Sequence, residues 1–227
     1  MTLKLEKGAV LLATIEENRY PILPTRVAGI EMPWYVGVLN CISCENVTIC
    51  GEGMIHGNGP YWWNKYWGVD MHGGMRKIYD EKNLRWACDY DCKRIRNVVV
   101  SNSNHITLKD FTSYQSGFWN VHILYSHDVL IDNIKIDSAN AISPSTDGID
   151  IDSSYQVEIK NCILSCNDDS ISIKAGRDAD GLRVNKACHT IFIHDCTILA
   201  GFGITIGSEV SGGAVSYTHL RAHETLS

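Results

Sequence analysis

A chain of 227 residues with 44% hydrophobic and 20% charged residues is long enough to bury the core of one domain, and no break in composition divides it into two. Its formal charge of −6 is spread along the chain, which argues against nucleic acid or an anionic membrane as a partner. No apolar run approaches membrane-spanning length, and no secretory signal precedes the first strand-like segment.

From the N-terminus onward, Trp62 and Trp63 are expected to cover the early part of the core, and a charged insert follows between Trp67 and Arg96. Of nine cysteines, the closest pairs are Cys41-x2-Cys44, Cys88-x3-Cys92 and Cys162-x3-Cys166, and none is matched by a second pair at zinc-ribbon spacing. An odd number leaves at least one thiol unpaired in a monomer. A disulfide such as Cys88 to Cys92 stays open.

Beyond residue 100 a repeat sets in. Ile106, Val129, Val157 and Ile191 anchor equivalent short strands at spacings of 23, 28 and 34 residues. Four residues past each anchor stands Asp110, Asn133, Asn161 or Asp195, able to hydrogen-bond backbone at a bend, followed by Phe111, Ile134, Cys162 or Cys196. That register gives Cys162 and Cys196 an interior packing role. A second alternating strand recurs at Val121-His122-Ile123, Ile149-Asp150-Ile151, Ile171-Ser172-Ile173 and Ile204-Thr205-Ile206. Helical periodicity is hardly visible. Short strands recurring at a period above about twenty residues predict an all-β solenoid, best fitted by a right-handed parallel β-helix that is incomplete at both ends. A sandwich or propeller would need more evenly spaced hairpin turns.

Stacking such coils places Trp119, Asp147, Asp169 and Phe202 in one column, two residues before each second-strand anchor. Asp168 lies one step further out, and Asp150 is the polar position inside its own strand. Strict alternation would turn Asp147 and Asp169 inward; Gly148 permits a bend beside the first, whereas Ser170 gives no such freedom beside the second. Carboxylates gathered on one face are costly to fold, and such gatherings serve proton transfer or cation binding. Solvated or calcium-binding turn aspartates are the alternative.

Around them, Lys174 falls in the polar column beside Asp152, with Arg177 and Arg183 in the following loop; such cations can pair with the carboxylates of a ligand, although Lys174 could equally form an ion pair with Asp152. Trp119 can stack on a ligand ring or simply pack. His122 points outward beside it, either to hydrogen-bond ligand hydroxyls or as a plain surface histidine.

The coil pattern stops at Gly212-Gly213. Residues 215–227, beginning Val215-Ser216-Tyr217-Thr218-His219-Leu220-Arg221, read like one frame of a transposase sequencing adapter, so residues 1–214 form the single expected domain and His219 and His223 are expected to carry no function.

Several motifs in order carry a family resemblance: Leu3-Lys4-Leu5-Glu6-Lys7-Gly8-Ala9; Gly51-Glu52-Gly53 with Ile55-His56-Gly57-Asn58-Gly59; Phe118-Trp119-Asn120-Val121-His122; Ser145-Thr146-Asp147-Gly148-Ile149-Asp150; Asp168-Asp169 leading to Ile173-Lys174-Ala175-Gly176; and Gly201-Phe202-Gly203 leading to Ile206-Gly207-Ser208-Glu209. Together they resemble glycoside hydrolase family 28, the polygalacturonases and their pectin-cleaving relatives, over nearly all of Thr2 to Gly213. The resemblance implies inverting hydrolysis of a pectic polysaccharide, galacturonan or rhamnogalacturonan, without a cofactor or metal. It makes Asp168 the general acid, with Asp147 and Asp169 activating water. Substrate contacts would come from Lys174, Asp150, Trp119, His122 and Arg177. It also implies a protein that is secreted or periplasmic and monomeric at full length.

Inversion calls for an acid and base roughly 6.5–9.5 Å apart, a span that neighbouring coils about 4.8 Å apart can reach with some lateral offset. The chain departs from the family pattern at Ser145, where Asn is usual; at Asn167, where Gly is usual; and at Phe202, where a His is usual. The last change shifts the expected substrate towards a branched or rhamnose-containing pectin. The family's Arg-x-Lys motif would fall beyond Gly213, so the chain as given is expected to have little or no activity. A calcium-dependent pectate lyase and a non-catalytic glycan-binding β-helix are the rival classes.

Overall fold

The computed structural model describes residues 1–84, 87–139 and 142–214, together with the backbone of 219–221. Strands β1 (Thr2–Lys4) and β2 (Val10–Leu12) are followed by a hairpin, β3 (Ile22–Val27) and β4 (Ile30–Tyr35), and then by β5 (Leu39–Ile42), β6 (Glu45–Cys50) and β7 (Met54–His56). The insert forms helices α1 (Gly59–Trp67), α2 (Gly74–Glu81) and α3 (Cys88–Asp91). Regular coils of three strands come next: β8 (Val98–Ser101), β9 (Asn104–Lys109), β10 (Thr112–Tyr114); β11 (Val121–Leu124), β12 (His127–Asp132), β13 (Lys135–Asp137); β14 (Ile149–Asp152), β15 (Tyr155–Lys160), β16 (Ile163–Ser165). Then β17 (Ile171–Lys174) leads through helix α4 (Asp178–Val184) to β18 (His189–His194) and β19 (Thr197–Ala200), and β20 (Ile204–Ile206) and β21 (His219–Arg221) follow.

Equivalent strands stack into three parallel sheets, ordered β1-β6-β9-β12-β15-β18-β21, β2-β7-β10-β13-β16-β19 and β5-β8-β11-β14-β17-β20, and the β3–β4 hairpin stands apart as an antiparallel pair. The result is a right-handed parallel β-helix. Ile106, Val129, Val157 and Ile191 pair in register, as do Val121, Ile149, Ile171 and Ile204. Each ladder is apolar because every coil points the same alternate residues inward, where they bury one another.

The corners explain the recurrent Asp and Asn. Asp110, Asn133, Asn161 and Asp195 all lie in the left-handed region, at φ +69°, +53°, +56° and +55°, where short polar side chains are tolerated best. The Asn133 amide donates to Asp110 Oδ1 at 2.8 Å, so one corner also braces the next.

Phe111, Ile134, Cys162 and Cys196 share the interior position beside those corners, with at most 5% exposure. All nine cysteines are free thiols, Cys88 and Cys92 included, so the disulfide left open by the sequence does not form. Trp62 and Trp63 are fully buried, as expected. The short helices, none longer than nine residues, span too few turns for their period to stand out in the sequence. Among the described residues no helix is long and apolar enough to cross a membrane. Within the tail, residues 219–221 pair with β18 as strand β21; the other residues from 215 to 227 lie outside the described ones.

Candidate active site

Asp147 and the Asp168–Asp169 pair sit just ahead of β14 and β17, on neighbouring coils. The chain bends at Gly148 and again at Ser170, which takes the aspartates out of the alternation that would have turned them into the core. Gly148 contributes clearance: a Cβ there would stand 2.3 Å from the Ser170 carbonyl oxygen of the next coil. The Gly148 N–H donates to the Asp169 carbonyl at 2.9 Å, which closes the two coils onto each other. At Ser170 the bend is held from the following coil, because its N–H donates to the Gly203 carbonyl at 2.9 Å. Tertiary hydrogen bonding thus supplies what the sequence, read for glycine alone, gave no reason to expect.

One carboxylate oxygen from each of Asp147, Asp168 and Asp169 lies within 4.8 Å of the others. Their nearest oxygens are thus closer than the roughly 6.5–9.5 Å between acid and base that inversion calls for. Asp147 is 4% exposed, and the other two are half-buried at the wall of a cavity of about 170 Å³. Burial, then the nearby Asp147 and Asp169 carboxylates, push the Asp168 carboxyl up to about 7. Its Oδ1 accepts the Asp169 N–H at 3.0 Å, and the Thr205 hydroxyl donates to Asp169 Oδ1 at 2.7 Å.

Lys174 lies at the centre of the charge arrangement. Its Nζ is 3.0 Å from Asp147 Oδ2 and 2.7 Å from Asp150 Oδ1, and it sits 4.1 Å from the centroid of the Trp119 ring. Burial would lower its pKa, and Asp147 and Asp150 more than offset that and raise it well above the ordinary lysine value. Asp147 is raised by burial, with Lys174 opposing. The three acidic oxygens are close enough to hold a cation, and the Lys174 ammonium brings positive charge to one of them.

The other expected contacts are placed differently. Lys174 pairs with Asp147 and Asp150 instead of Asp152, and is only 3% exposed. Asp150 is fully buried, so it supports Lys174 and meets no substrate. His122 points out of its coil but is also fully buried, with Nδ1 2.7 Å from Arg96 Nη1 and Nε2 3.6 Å from Asp152, and burial first among the causes takes its pKa down to about 4. Trp119 is 2% exposed, stacked on Phe118 at 4.8 Å and covered by Lys174, so most of its ring is packed, while both it and Lys174 line the cavity. Arg177 does line the cavity, donating to the Tyr90 hydroxyl at 2.7 Å and pairing with Glu209 at 3.2 Å. Arg183 is turned away from it, onto Glu31 and Asp180.

Asp89, from the insert, was not legible as a cavity residue, nor Tyr90 as the partner of Arg177. Asp89 accepts the Ser145 hydroxyl at 3.0 Å and pairs with Arg94 at 2.5 Å. Only their place in a charged insert hinted at a role. Ser145 occupies φ +51°, which Asn tolerates better, and Asn167 ties its coil to the previous one by donating to the Ser143 carbonyl at 2.9 Å. Phe202 is 77% exposed; its N–H donates to the Asp168 carbonyl at 3.0 Å, but its ring gives that carboxyl no hydrogen bond. A wider groove of about 590 Å³ on the outer face of the seven-stranded sheet, around Thr107, Leu130 and Glu158, lies away from the carboxylates.

Comparison with known proteins agrees with this fold. A "Probable polygalacturonase" of Vitis vinifera is 31% identical over 220 residues, 93% of this chain and 41% of that protein. The chain thus spans well under half the length of this relative. A "Polygalacturonase" of Chamaecyparis obtusa is 30% identical over 176 residues, 76% of this chain and 29% of that protein. Among solved structures, a hyperthermoactive exopolygalacturonase from Thermotoga maritima superposes with a TM-score of 0.79 at 28% identity, covering 93% of this chain and 53% of that one. The polygalacturonase of Erwinia carotovora shares the fold, with a TM-score of 0.67 at 20% identity over 91% of this chain and 52% of that one. With a family match extending over residues 35–223, the chain belongs to Glycosyl hydrolases family 28.

Proposed function

We propose that the full-length protein hydrolyses glycosidic bonds of a pectic polysaccharide, galacturonan or rhamnogalacturonan, by inverting acid/base chemistry without a metal. The supporting observation is the convergence of three carboxylates within 4.8 Å, with one of them, Asp168, pushed up to about 7. A carboxyl that holds its proton near neutral pH is suited to the role of general acid. Asp168, protonated, gives its proton to the leaving glycosidic oxygen as that oxygen takes the electron pair of the breaking C–O bond. Asp147 and Asp169 orient a water and take its proton as its oxygen bonds to the anomeric carbon from the opposite face. Two acceptors can share one water across roughly 4.6 Å, given hydrogen bonds of about 2.8 Å at a near-tetrahedral angle. The Asp147–Asp169 pair can therefore grip the nucleophile directly; the spacing rule concerns the distance from acid to base, and by it the approach of Asp168 to within 4.8 Å is the closeness of retaining enzymes.

Arg177 is the cation that a uronate carboxylate would meet at the cavity wall, and its planar fork suits that group. The apolar Phe202 ring in place of a His favours a rhamnose-containing or branched substrate over plain galacturonan. The protein would act as a secreted or periplasmic monomer.

The test is reducing-end release from polygalacturonate and from rhamnogalacturonan by the full-length protein, with and without a chelator. Chelator-insensitive cleavage is expected, and Asp168→Asn should slow it by about 10²–10⁴-fold while oligosaccharide binding survives. An unchanged rate in that variant would remove Asp168 from the role of acid. Retained configuration in the first-formed product would reject inversion. A calcium-requiring reaction with an unsaturated, ultraviolet-absorbing product would identify a lyase.

A further inference from the structure

We infer that the β3–β4 hairpin closes the glycan groove at the catalytic coil, so that the site takes chain ends and not internal stretches of polymer; the inference rests on the pectic-hydrolase reading above. The pleat dictates which residues should face a groove. On β8, β11 and β14 the inward positions are Val98, Val100, Val121, Ile123, Ile149 and Ile151, all fully buried in the core. The alternate positions, Val99 and Ser101, His122 and Leu124, Asp150 and Asp152, therefore point away from it. A polysaccharide running along the coils past the acids would lie over this face. Yet none of these residues is more than 8% exposed.

The hairpin is what buries much of this face. Arg26 of β3 reaches Asp152 at 2.7 Å, and the Thr25 hydroxyl accepts from Arg96 Nη1 at 3.2 Å. Trp34 of β4 donates from Nε1 to the Arg94 carbonyl at 2.8 Å and packs with Val27 on Phe118 and Trp119. At the tip, the Gly29 carbonyl accepts the Arg177 N–H at 2.9 Å, and a Cβ on Gly29 would stand 2.6 Å from Arg177 Cβ, so the tip is seated at backbone contact. The insert meets it from the flank, where the Tyr90 hydroxyl donates to the Ala28 carbonyl at 3.0 Å and accepts from Arg177. Two segments far apart in sequence thus form one continuous wall. The cavity at the acids, about 170 Å³, is smaller than the roughly 300–1,000 Å³ of sites that enclose drug-sized ligands, and suits a terminal sugar; the spaces of about 510 and 320 Å³ beside the hairpin are lined by its own residues and by Ser101, and do not include the acids.

Two measurements decide the matter. In the first, this chain is titrated with hexagalacturonate carrying a bulky fluorophore at its reducing end, and with the same sugar labelled at its non-reducing end. A walled groove predicts that one label weakens binding by about tenfold or more while the other is tolerated. Equal affinity for both would overturn the inference. In the second, the full-length protein digests polygalacturonate and rhamnogalacturonan. Expected is a single short product from the earliest time points, with slow loss of viscosity; a ladder of intermediate lengths with early collapse of viscosity would overturn it. Absence of any cleavage would defeat the hydrolase reading, and the binding measurement would still decide whether the groove is closed.

Discussion

In the proposed mechanism Lys174 would set the protonation pattern without touching the reacting bond. Its ammonium, 4% exposed, is shared between Asp147 and Asp150 and opposes the upward push of burial on the Asp147 carboxyl, while Asp168 is pushed up to about 7. Lys174→Met should therefore raise the acid limb of the kcat/KM profile of the full-length protein by about one to three pH units, the usual effect of losing an opposite charge at this distance. Lys174→Arg should restore much of it. A loss of activity with unchanged limbs would mean that Lys174 only holds the fold. The alkaline limb belongs to Asp168 and should fall as pH rises through about 7, where the acid loses its proton. The same shift has a stability sign. With a folded value near 7 and an unfolded value near 3.8, the group costs nothing below the lower figure and progressively more up to the higher one. Asp168→Asn should thus stabilise the fold on the order of 1 kcal/mol at pH 8 and not at pH 3, read as a denaturant midpoint, after discounting for solvent at a half-buried site.

At the scale of the element, the coil is the unit the sequence displays best. The anchors Ile106, Val129, Val157 and Ile191 and the polar corners recur because every coil meets the same packing and the same left-handed turn, so periodicity alone exposes them. The acidic column was legible for the same reason. What could not be read is how the two bends are produced and what covers the outer face, because both depend on contacts between segments far apart in sequence. His122, Trp119 and Asp150 were expected as substrate contacts from the resemblance; the side chains that meet them, Arg96 against His122, Trp34 against Trp119 and Lys174 against Asp150, come from the hairpin or from other coils. Gly148 tests the coil-to-coil fit directly. Adding one methyl against the Ser170 carbonyl, 2.3 Å away, must push two coils apart. Gly148→Ala should destabilise by about 1–3 kcal/mol, as overpacking does, and lower kcat although all three acids remain. Unchanged thermal unfolding would show that the bend has room to spare.

Across the whole molecule, a bare solenoid would be a nearest-neighbour stack whose coils can open one after another. The hairpin alters that. Arg26 binds Asp152 on β14, Glu31 meets Tyr125 after β11 and Arg183 in α4, and Gly29 holds the loop after β17, so one N-terminal element clamps three successive coils. The Arg26–Asp152 pair is fully buried; burial alone would push the Asp152 carboxyl up, and His122 and Arg26 outweigh it and leave it below the ordinary value. Removing one partner strands the other charge out of water. Arg26→Ala should cost about 3–5 kcal/mol, and Arg26→Met with Asp152→Leu should recover much of it, since an apolar pair leaves no charge to solvate. The clamp also predicts cooperativity, which native-state hydrogen exchange reads. Amides of β11, β14 and β17 should exchange through one common opening in the wild type and at separate rates in Arg26→Ala, where the coils regain their independence. Graded, coil-by-coil protection already present in the wild type would show that the hairpin rests on the stack without holding it together.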